Sequence, residues 1–362
     1  MTELIRARAF LLPALTVAVA LLDLPGRGAT LARFEYVEPH MGTKFRIVLY
    51  APDEATADRA ARRAFDRIEE LNHIMSDYLA TSELARLSRN SGGPPVKVSE
   101  DLFRVLAESQ NIARRSDEAF DITVGPIVKL WRRARRRHAL PDHESIANAL
   151  EKVGYENLVL NPRGRTAHLM KPGMELDLGA VGKGYADDEV LKVLAGFGIR
   201  RVLVAGGGDI AVGDPPPGRK GWLVAVEPLN LAPRAPVRTV LLHRAAISTS
   251  GDSEQHLEIG GVRYSHVIDP RTGLALTGYR SVTVVARRGI LADGLATAAS
   301  VLGSEDGLKL IRRFSGAGIF YVEERPSGMV TREARFPRFL RLNSPTPSAP
   351  TATIRKSDLR AR

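Results

Sequence analysis

From Glu35 to Tyr50 apolar and polar residues alternate in a run rich in β-formers, interrupted at Met41–Gly42–Thr43, which predicts two strands joined by a turn. The period then changes. Ala57, Ala60, Ala61, Ala64, Phe65, Ile68 and Leu71 recur at three-and-four spacing, and with Asp53 as N-cap they predict a helix from about Asp53 to Ser76. Thr81 or Ser82 caps a short helix, and Ser99 a longer one through about Ser116. Beyond the basic string Trp131–Arg137 (WRRARRR), Pro141 marks a loop and Glu144–Lys152 a further helix.

After Gly173 the pattern reads strand (MELDL), glycine-rich turn (GAVGKG), then helix (YADDEVLKVLAGFG) ending on a glycine stop signal. RVLVA, WLVAVEP, VRTVLLH, AAISTSG and RSVTVVA read as strands. Arg263–Pro270 reads as a strand entering a turn at Asp269–Gly273, and Leu291–Leu302 as a helix. Strands and helices mix without a regular βαβ repeat, so the expected class is α+β. At the N-terminus Arg6 and Arg8 precede an uncharged run from Ala9 to Leu22, broken by Asp23, Pro25 and Gly26. That is the layout of a secretory signal. Residues 1–32 are therefore expected to be a signal peptide or signal anchor, residues 33–342 the folded domain, and residues 343–362 a disordered basic tail. The expected location is a bacterial periplasm.

Composition narrows the chemistry. The 362 residues are 44% apolar, which excludes wholesale disorder, and contain no cysteine. Disulfides, thiolate–zinc or iron–sulfur centres, a thiol nucleophile and a lipidated cysteine are all excluded. With 52 basic and 41 acidic residues, the net charge of +11 admits three partners: nucleic acid, an anionic membrane surface, or phosphate-bearing small molecules. The export signal and the lack of a nucleic-acid motif argue against the first.

Two glycine-rich segments fail as nucleotide motifs. Gly206–Ala211 fits G-x-G-x-x-A after a strand, yet Val212–Gly213–Asp214 and three prolines follow, so no helix can receive a pyrophosphate. Gly182–Lys183–Gly184 lacks the first glycine of a P-loop, because position 177 is Asp177, and no Ser or Thr follows Lys183. A strand-to-helix glycine turn still exposes amides suited to phosphate. Asp293 and Thr297 stand four apart on one helical face. They read either as hard oxygen ligands for Mg²⁺ or as an ordinary helix start with Thr297 packed inward. His266 reads as a proton shuttle, a phosphate partner or a structural residue, and Tyr78, Phe120 and Asp121 taken singly read as core.

Taken together and in order, MGTKFRI, MSDYLATSELARL, FDITVGPIVKLW, ELDLGAVGKGYADD, GGDI, STSGD, RYSHVIDPRTG, and SVTVVA followed by ADGLATA resemble the ApbE family of FAD:protein FMN transferases, over about Met41 to Gly303. The resemblance implies a fold of two intertwined lobes of mixed sheet and helices with an FAD cleft between them. It also implies an exported enzyme, often membrane-associated, that uses Mg²⁺ and FAD to attach FMN to a Thr or Ser of an acceptor flavoprotein, releasing AMP. By the same resemblance Mg²⁺ is held by Asp293, Thr297 and main-chain oxygens of Ala180 and Ala296. FAD is held by Met41, Tyr78, Ala119, Phe120, Asp121, Asp177, Lys183, Val267 and Ile268, and His266 and Asp293 are the catalytic candidates. Gly182 stands where the family has alanine, and Ala205–Gly206 where it has Asn-Leu. The Arg132–Arg137 cluster and the tail beyond Asn343 have no counterpart in the family pattern, and that excess charge reads as a solvated face or an inner-membrane contact. Without cysteine the lipoprotein anchor of some members is excluded. An FAD pyrophosphatase and a non-catalytic flavin-binding protein are the alternative readings.

Overall fold

The opening alternation forms an antiparallel hairpin: β1 (Ala32–His40) and β2 (Thr43–Ala51) pair from Ala32 opposite Ala51 to His40 opposite Thr43. Residues 30–226, 238–251 and 256–338 are described in this computed structural model, and from Leu31 onward they belong to one compact unit. The expected signal, apart from residues 30–32, and the expected tail lie outside the described residues.

Four helices on the amino-terminal side begin where short polar side chains cap them. Asp53 accepts from the Thr56 amide ahead of α1 (Glu54–Met75), and Ser82 from the Ala85 amide ahead of α2 (Glu83–Arg89). After the short β3 (Val96–Lys97), Ser99 caps α3 (Glu100–Arg115). Next comes α4 (Gly125–Arg137), opened by a proline in its first turn, so the arginine string is helical. Asp142 caps α5 (His143–Leu150). β4 (Leu158–Asn161) and β5 (Thr166–Leu169) join β3 in a small sheet.

α6 (Gly182–Gly196) leads to the hairpin β6 (Val202–Gly206) and β7 (Asp209–Val212). β8 (Trp222–Val226) and β9 (Arg238–Leu242) form a separate pair, and β10 (Ala245–Gly251) returns alongside β7. A three-stranded sheet follows from β11 (His256–Ile259), β12 (Val262–Ile268) and β13 (Ala275–Thr277). The chain closes with β14 (Arg280–Ala286), α7 (Gly289–Arg312), β15 (Gly318–Arg325) and β16 (Gly328–Ala334). α7 is interrupted at Gly303 (φ 79°), one residue past the predicted helix end at Leu302.

The main sheet has eight strands in the order β1-β2-β6-β7-β10-β14-β15-β16, antiparallel throughout. Strand alternation sends Phe45, Ile47 and Leu49 into the largest core, with Ile68 and Leu71 of α1, Val190 and Leu194 of α6 and Leu295 of α7. Val48, Leu203 and Ile247 face the other way, against Trp222 and Val240 of the β8–β9 pair. A third cluster seats Ile127, Trp131 and Ala134 of α4 on Leu257, Ile268 and Ala275. The architecture is α+β, as expected.

One predicted strand is not a strand. MELDL does alternate, burying Met174, Leu176 and Leu178 in the main core with Glu175 and Asp177 between them, but it meets no neighbouring strand along its length and contributes only an isolated bridge between Glu175 and Val124. Among the described residues no helix is long and apolar enough to cross a membrane.

Candidate active site

Two glycines bring the site together. A Cβ on Gly184 would stand 2.3 Å from the Gly289 carbonyl oxygen, and one on Gly289 would stand 2.2 Å from the Gly184 oxygen. The first turns of α6 and α7 therefore touch backbone to backbone, an approach only glycine permits. Asp188 locks the junction, its carboxylate accepting from the amides of Gly289 (2.6 Å) and Ile290 (3.2 Å). Its pKa is nonetheless pushed up to about 6, because burial outweighs those bonds.

With the helix starts in contact, side chains distant in sequence converge. Lys183 Nζ lies 3.2 Å from Asp209 Oδ2 and 3.9 Å from Asp293 Oδ2, and the Gly184 amide approaches Asp293 Oδ2 at 3.4 Å. Asp187, one turn along α6, is fully buried, and neither of its oxygens has a hydrogen-bond partner. Three buried carboxylates thus face one ammonium. Burial first, and then Asp209, raises Asp293 to about 7 against the pull of Lys183. Burial and the neighbouring acids likewise push Asp187 well above the usual carboxylate range. The same acids outweigh burial on Lys183 and hold it firmly protonated. The glycine turn between β6 and β7 presents Asp209, and Gly207 there (φ 68°) leaves room for the Lys183 stem, whose Cδ lies 3.3 Å from where a Cβ would stand. Thr43 borders the same turn, and Met41, in the β1–β2 turn beside it, adopts φ 49° and packs partly on the main core.

A second group adjoins the first. Lys183 Nζ also donates to the Gly179 carbonyl (3.2 Å), while the Gly179 amide donates to Asp177 Oδ1 (2.8 Å). Asp177 Oδ2 accepts from Arg132 Nη2 (2.9 Å), whose other branch reaches Asp77, and the guanidinium lies over the ring of Tyr78. Burial and the charge of Asp77 raise the pKa of Asp177, and Arg132 opposes them. Tyr78 itself is 76% exposed, unusual for so large an apolar surface.

The remaining candidates occupy several elements. Ala119 and Val267 share a small buried cluster, and Ile268 packs in the α4 cluster. Asp121 is buried, accepts from the Thr123 amide and hydroxyl, and has its pKa raised by burial to about 6. The ring of Phe120 belongs to the main core. His266 is exposed on β12. In α7, Thr297 is half-buried one turn past Asp293, Ala296 is fully buried, and Ala180 is half-buried just ahead of α6.

The donor set suits a hard divalent cation. Excess buried negative charge sits at a place offering carboxylate, hydroxyl and main-chain oxygens and no soft ligand. Among the described residues no three His, Asp or Glu side chains are grouped as a ligand set. Mg²⁺ takes one or two carboxylates and fills its remaining positions with water and phosphate.

The model of the ApbE family matches residues 41–320. The chain belongs to the ApbE family. Among its ApbE relatives, the FAD:protein FMN transferase of Klebsiella pneumoniae is 33% identical over 297 residues, covering 80% of this chain and 84% of that one. The Treponema pallidum protein of the same name is 31% identical over 312 residues, covering 82% and 86%. The structure of the flavin transferase ApbE from Vibrio cholerae matches with a TM-score of 0.76 at 28% identity, over 84% of this chain and 98% of that one. The apo flavinyl transferase ApbE of Pseudomonas stutzeri matches at 0.75. Like these ApbE proteins, this chain is an enzyme, a transferase.

Sequence reasoning missed Asp187, Asp209 and Arg132. The run of acids Asp187–Asp188–Glu189 at the start of a helix was a usable signal, since carboxylates on consecutive positions cannot all face solvent and a buried one needs a reason. Asp209 lies in the GGDI string, yet no role was read for it, because its neighbours in space come from α6 and α7. Arg132 was hidden in a run of like charges read as a solvated or membrane-facing surface. Its half-buried guanidinium corrects that reading for this residue, and Arg135 is half-buried as well, while Arg133, Arg136 and Arg137 are exposed.

Proposed function

We propose that this chain moves FMN from FAD to a threonine or serine of an acceptor flavoprotein, with Mg²⁺ as cofactor and AMP as the second product. The observation that carries the reading is the half-buried Lys183 held between the buried Asp209 and Asp293 at the touching starts of α6 and α7, with the exposed ring of Tyr78 and the carboxylate of Asp177 next to it. A cation and helix amides suit a pyrophosphate, and a ring surface suits a flavin or adenine. In the reaction the acceptor hydroxyl oxygen bonds to the phosphorus on the riboflavin side, the bond from that phosphorus to the bridging oxygen breaks, and AMP leaves with the bridging oxygen. The hydroxyl proton passes to a base, for which His266 is the candidate. Lys183 offsets charge on the pyrophosphate. Asp293, the Thr297 hydroxyl and the carbonyls of Ala180 and Ala296 would hold Mg²⁺. When bound, Mg²⁺ supplies electrostatic stabilisation of the charge that builds on the phosphate oxygens.

In this reading Met41, Asp121, Val267 and Ile268 border the nucleotide. The Ala119–Phe120 segment contributes main chain rather than a ring, since the Phe120 side chain is used in the core. The protein acts after export, in a periplasm, in solution or against the inner-membrane surface.

The test mixes purified protein with FAD and Mg²⁺, with and without a candidate acceptor, and reads flavin fluorescence in a denaturing gel alongside free AMP. Covalent flavin on the acceptor, stoichiometric AMP, loss of both on chelation and loss of both in Asp293→Ala are the expected results. Free FMN and AMP without acceptor would instead select a pyrophosphatase. Stoichiometric FAD binding with neither product would select a carrier.

A further inference from the structure

Helix α4 is fixed from one side. Ile127, Trp131 and Ala134 are buried against the β11–β13 sheet, and Trp131 Nε1 donates to the Gly273 carbonyl at 2.8 Å. The next residue projects about 100° further round the helix. There Arg132 meets three groups from two other segments: Nη1 donates to Asp77 Oδ2, Nη2 to Asp177 Oδ2 at 2.9 Å, and the guanidinium carbon sits 4.4 Å from the centroid of the Tyr78 ring.

Each of these groups depends on it differently. The Tyr78 amide is tied to Ser76 Oγ (3.2 Å), which fixes the backbone but leaves the ring free to turn. The guanidinium removes that freedom by covering one face. Asp177 Oδ1 is already held by the Gly179 amide, and Arg132 fixes the remaining oxygen. Asp77 adds a second negative charge beside Asp177, and the intervening guanidinium, ion-paired with both, offsets the charge that the pair would show an incoming anion.

We propose that Arg132 is a positioning residue for the flavin dinucleotide, holding Tyr78 as a platform with its outer face open to a substrate ring and cancelling Asp77 so that the pyrophosphate can pass Asp177. The inference rests on the reading of this cleft as the FAD site. Ordering the platform before binding lowers the entropy lost on binding, and removing a like-charge barrier strengthens the encounter, so both effects fall on affinity rather than on the chemical step.

The experiment measures FAD binding by quenching of flavin fluorescence and, separately, KM and kcat for transfer, in wild type, Arg132→Ala, Arg132→Lys and the double variant Arg132→Ala/Asp77→Asn. Arg132→Ala is expected to weaken FAD binding and raise KM roughly tenfold while kcat changes far less. Arg132→Lys restores part of the loss, since it keeps the charge and loses the planar fork. The double variant recovers affinity relative to Arg132→Ala, a rescue that a merely structural arginine would not give, and it also serves if the single variant folds poorly. Unchanged affinity in Arg132→Ala, a loss confined to kcat, or no rescue by Asp77→Asn overturns the inference. A wild type that binds FAD without transferring it overturns the transferase reading and leaves these binding results to judge Arg132. A wild type that does not bind FAD overturns both.

Discussion

Replacing Gly184 with alanine tests how the site is assembled. The added Cβ would stand 2.3 Å from the Gly289 carbonyl oxygen and 2.9 Å from the Ile290 nitrogen, where a carbon and a carbonyl oxygen normally keep about 3.3 Å. Both neighbours are backbone atoms, not the ends of flexible side chains, so the starts of α6 and α7 must part by roughly 1 Å. Overpacking of this kind costs about 1–3 kcal/mol of stability. The separation moves Lys183 and Asp187 away from Asp293, and a shift of that size costs on the order of a hundredfold in rate. The expected result is a folded protein with a lowered urea midpoint and a transfer rate reduced by about two orders of magnitude. Gly289→Ala wedges the same contact from the other side, with its Cβ 2.2 Å from the Gly184 oxygen. The double variant should cost less than the sum of the singles, since one displacement relieves both clashes. Gly196→Ala, at the far end of α6 with nothing within 4 Å of the new methyl, is the control expected to be neutral or slightly stabilising. Wild-type transfer by Gly184→Ala, or full additivity in the double variant, would refute the reasoning that this backbone contact sets the site.

Asp121 has a folded pKa of about 6 against an ordinary 3.8, so between those values the folded state keeps a proton that the unfolded chain has lost, and stability falls as pH rises. Wild type should therefore lose about 2 kcal/mol relative to Asp121→Asn between pH 4 and pH 7, and urea unfolding of both proteins at four pH values checks the slope; parallel curves would contradict it. Lys183→Met leaves the carboxylates of Asp209 and Asp293 without their cation and should destabilise by about 3 kcal/mol, with Asp209→Asn in the same chain recovering part of that in the same unfolding assay. Asp187→Ala removes a buried carboxyl that has no partner, so its thermal midpoint should rise, the opposite of the usual outcome of a buried truncation, and a fall in scanning calorimetry would show that the acid is satisfied after all.

What was legible in the sequence is what local rules control. The helix from Asp53 was readable because its cap and apolar spacing lie within the segment itself. The Gly206–Gly208 turn was correctly denied a dinucleotide because the residues after Val212 cannot start a helix, and it proved to be the tight turn of an antiparallel hairpin. Tertiary terms hid the rest. α4 was obscured by its arginines, although Ile127, Trp131 and Ala134 give it a buried stripe. β15 and β16 carried no turn or alternation signal that was read as a hairpin. In the MELDL segment the alternation is real, with Met174, Leu176 and Leu178 in the core, but whether an extended segment finds a partner strand is decided by the tertiary fold, and this one meets only Val124. At the site, the motif residues Lys183 and Asp293 were visible, but their meeting with Asp187 and Asp209 depends on a contact between two glycines more than a hundred positions apart.

The crowded acids also tie occupancy to survival. Asp187, Asp209 and Asp293 come from three elements and become neighbours only when α6, β7 and α7 have all docked, so an unfolded chain has no such cluster to offer. A cation that neutralises them binds the native state alone and stabilises it by mass action. A molecule that has acquired its ligands is then harder for a protease to open than one that has not. The most repulsive spot in the fold would thus let the cell's own degradation machinery distinguish loaded copies of the enzyme from empty ones.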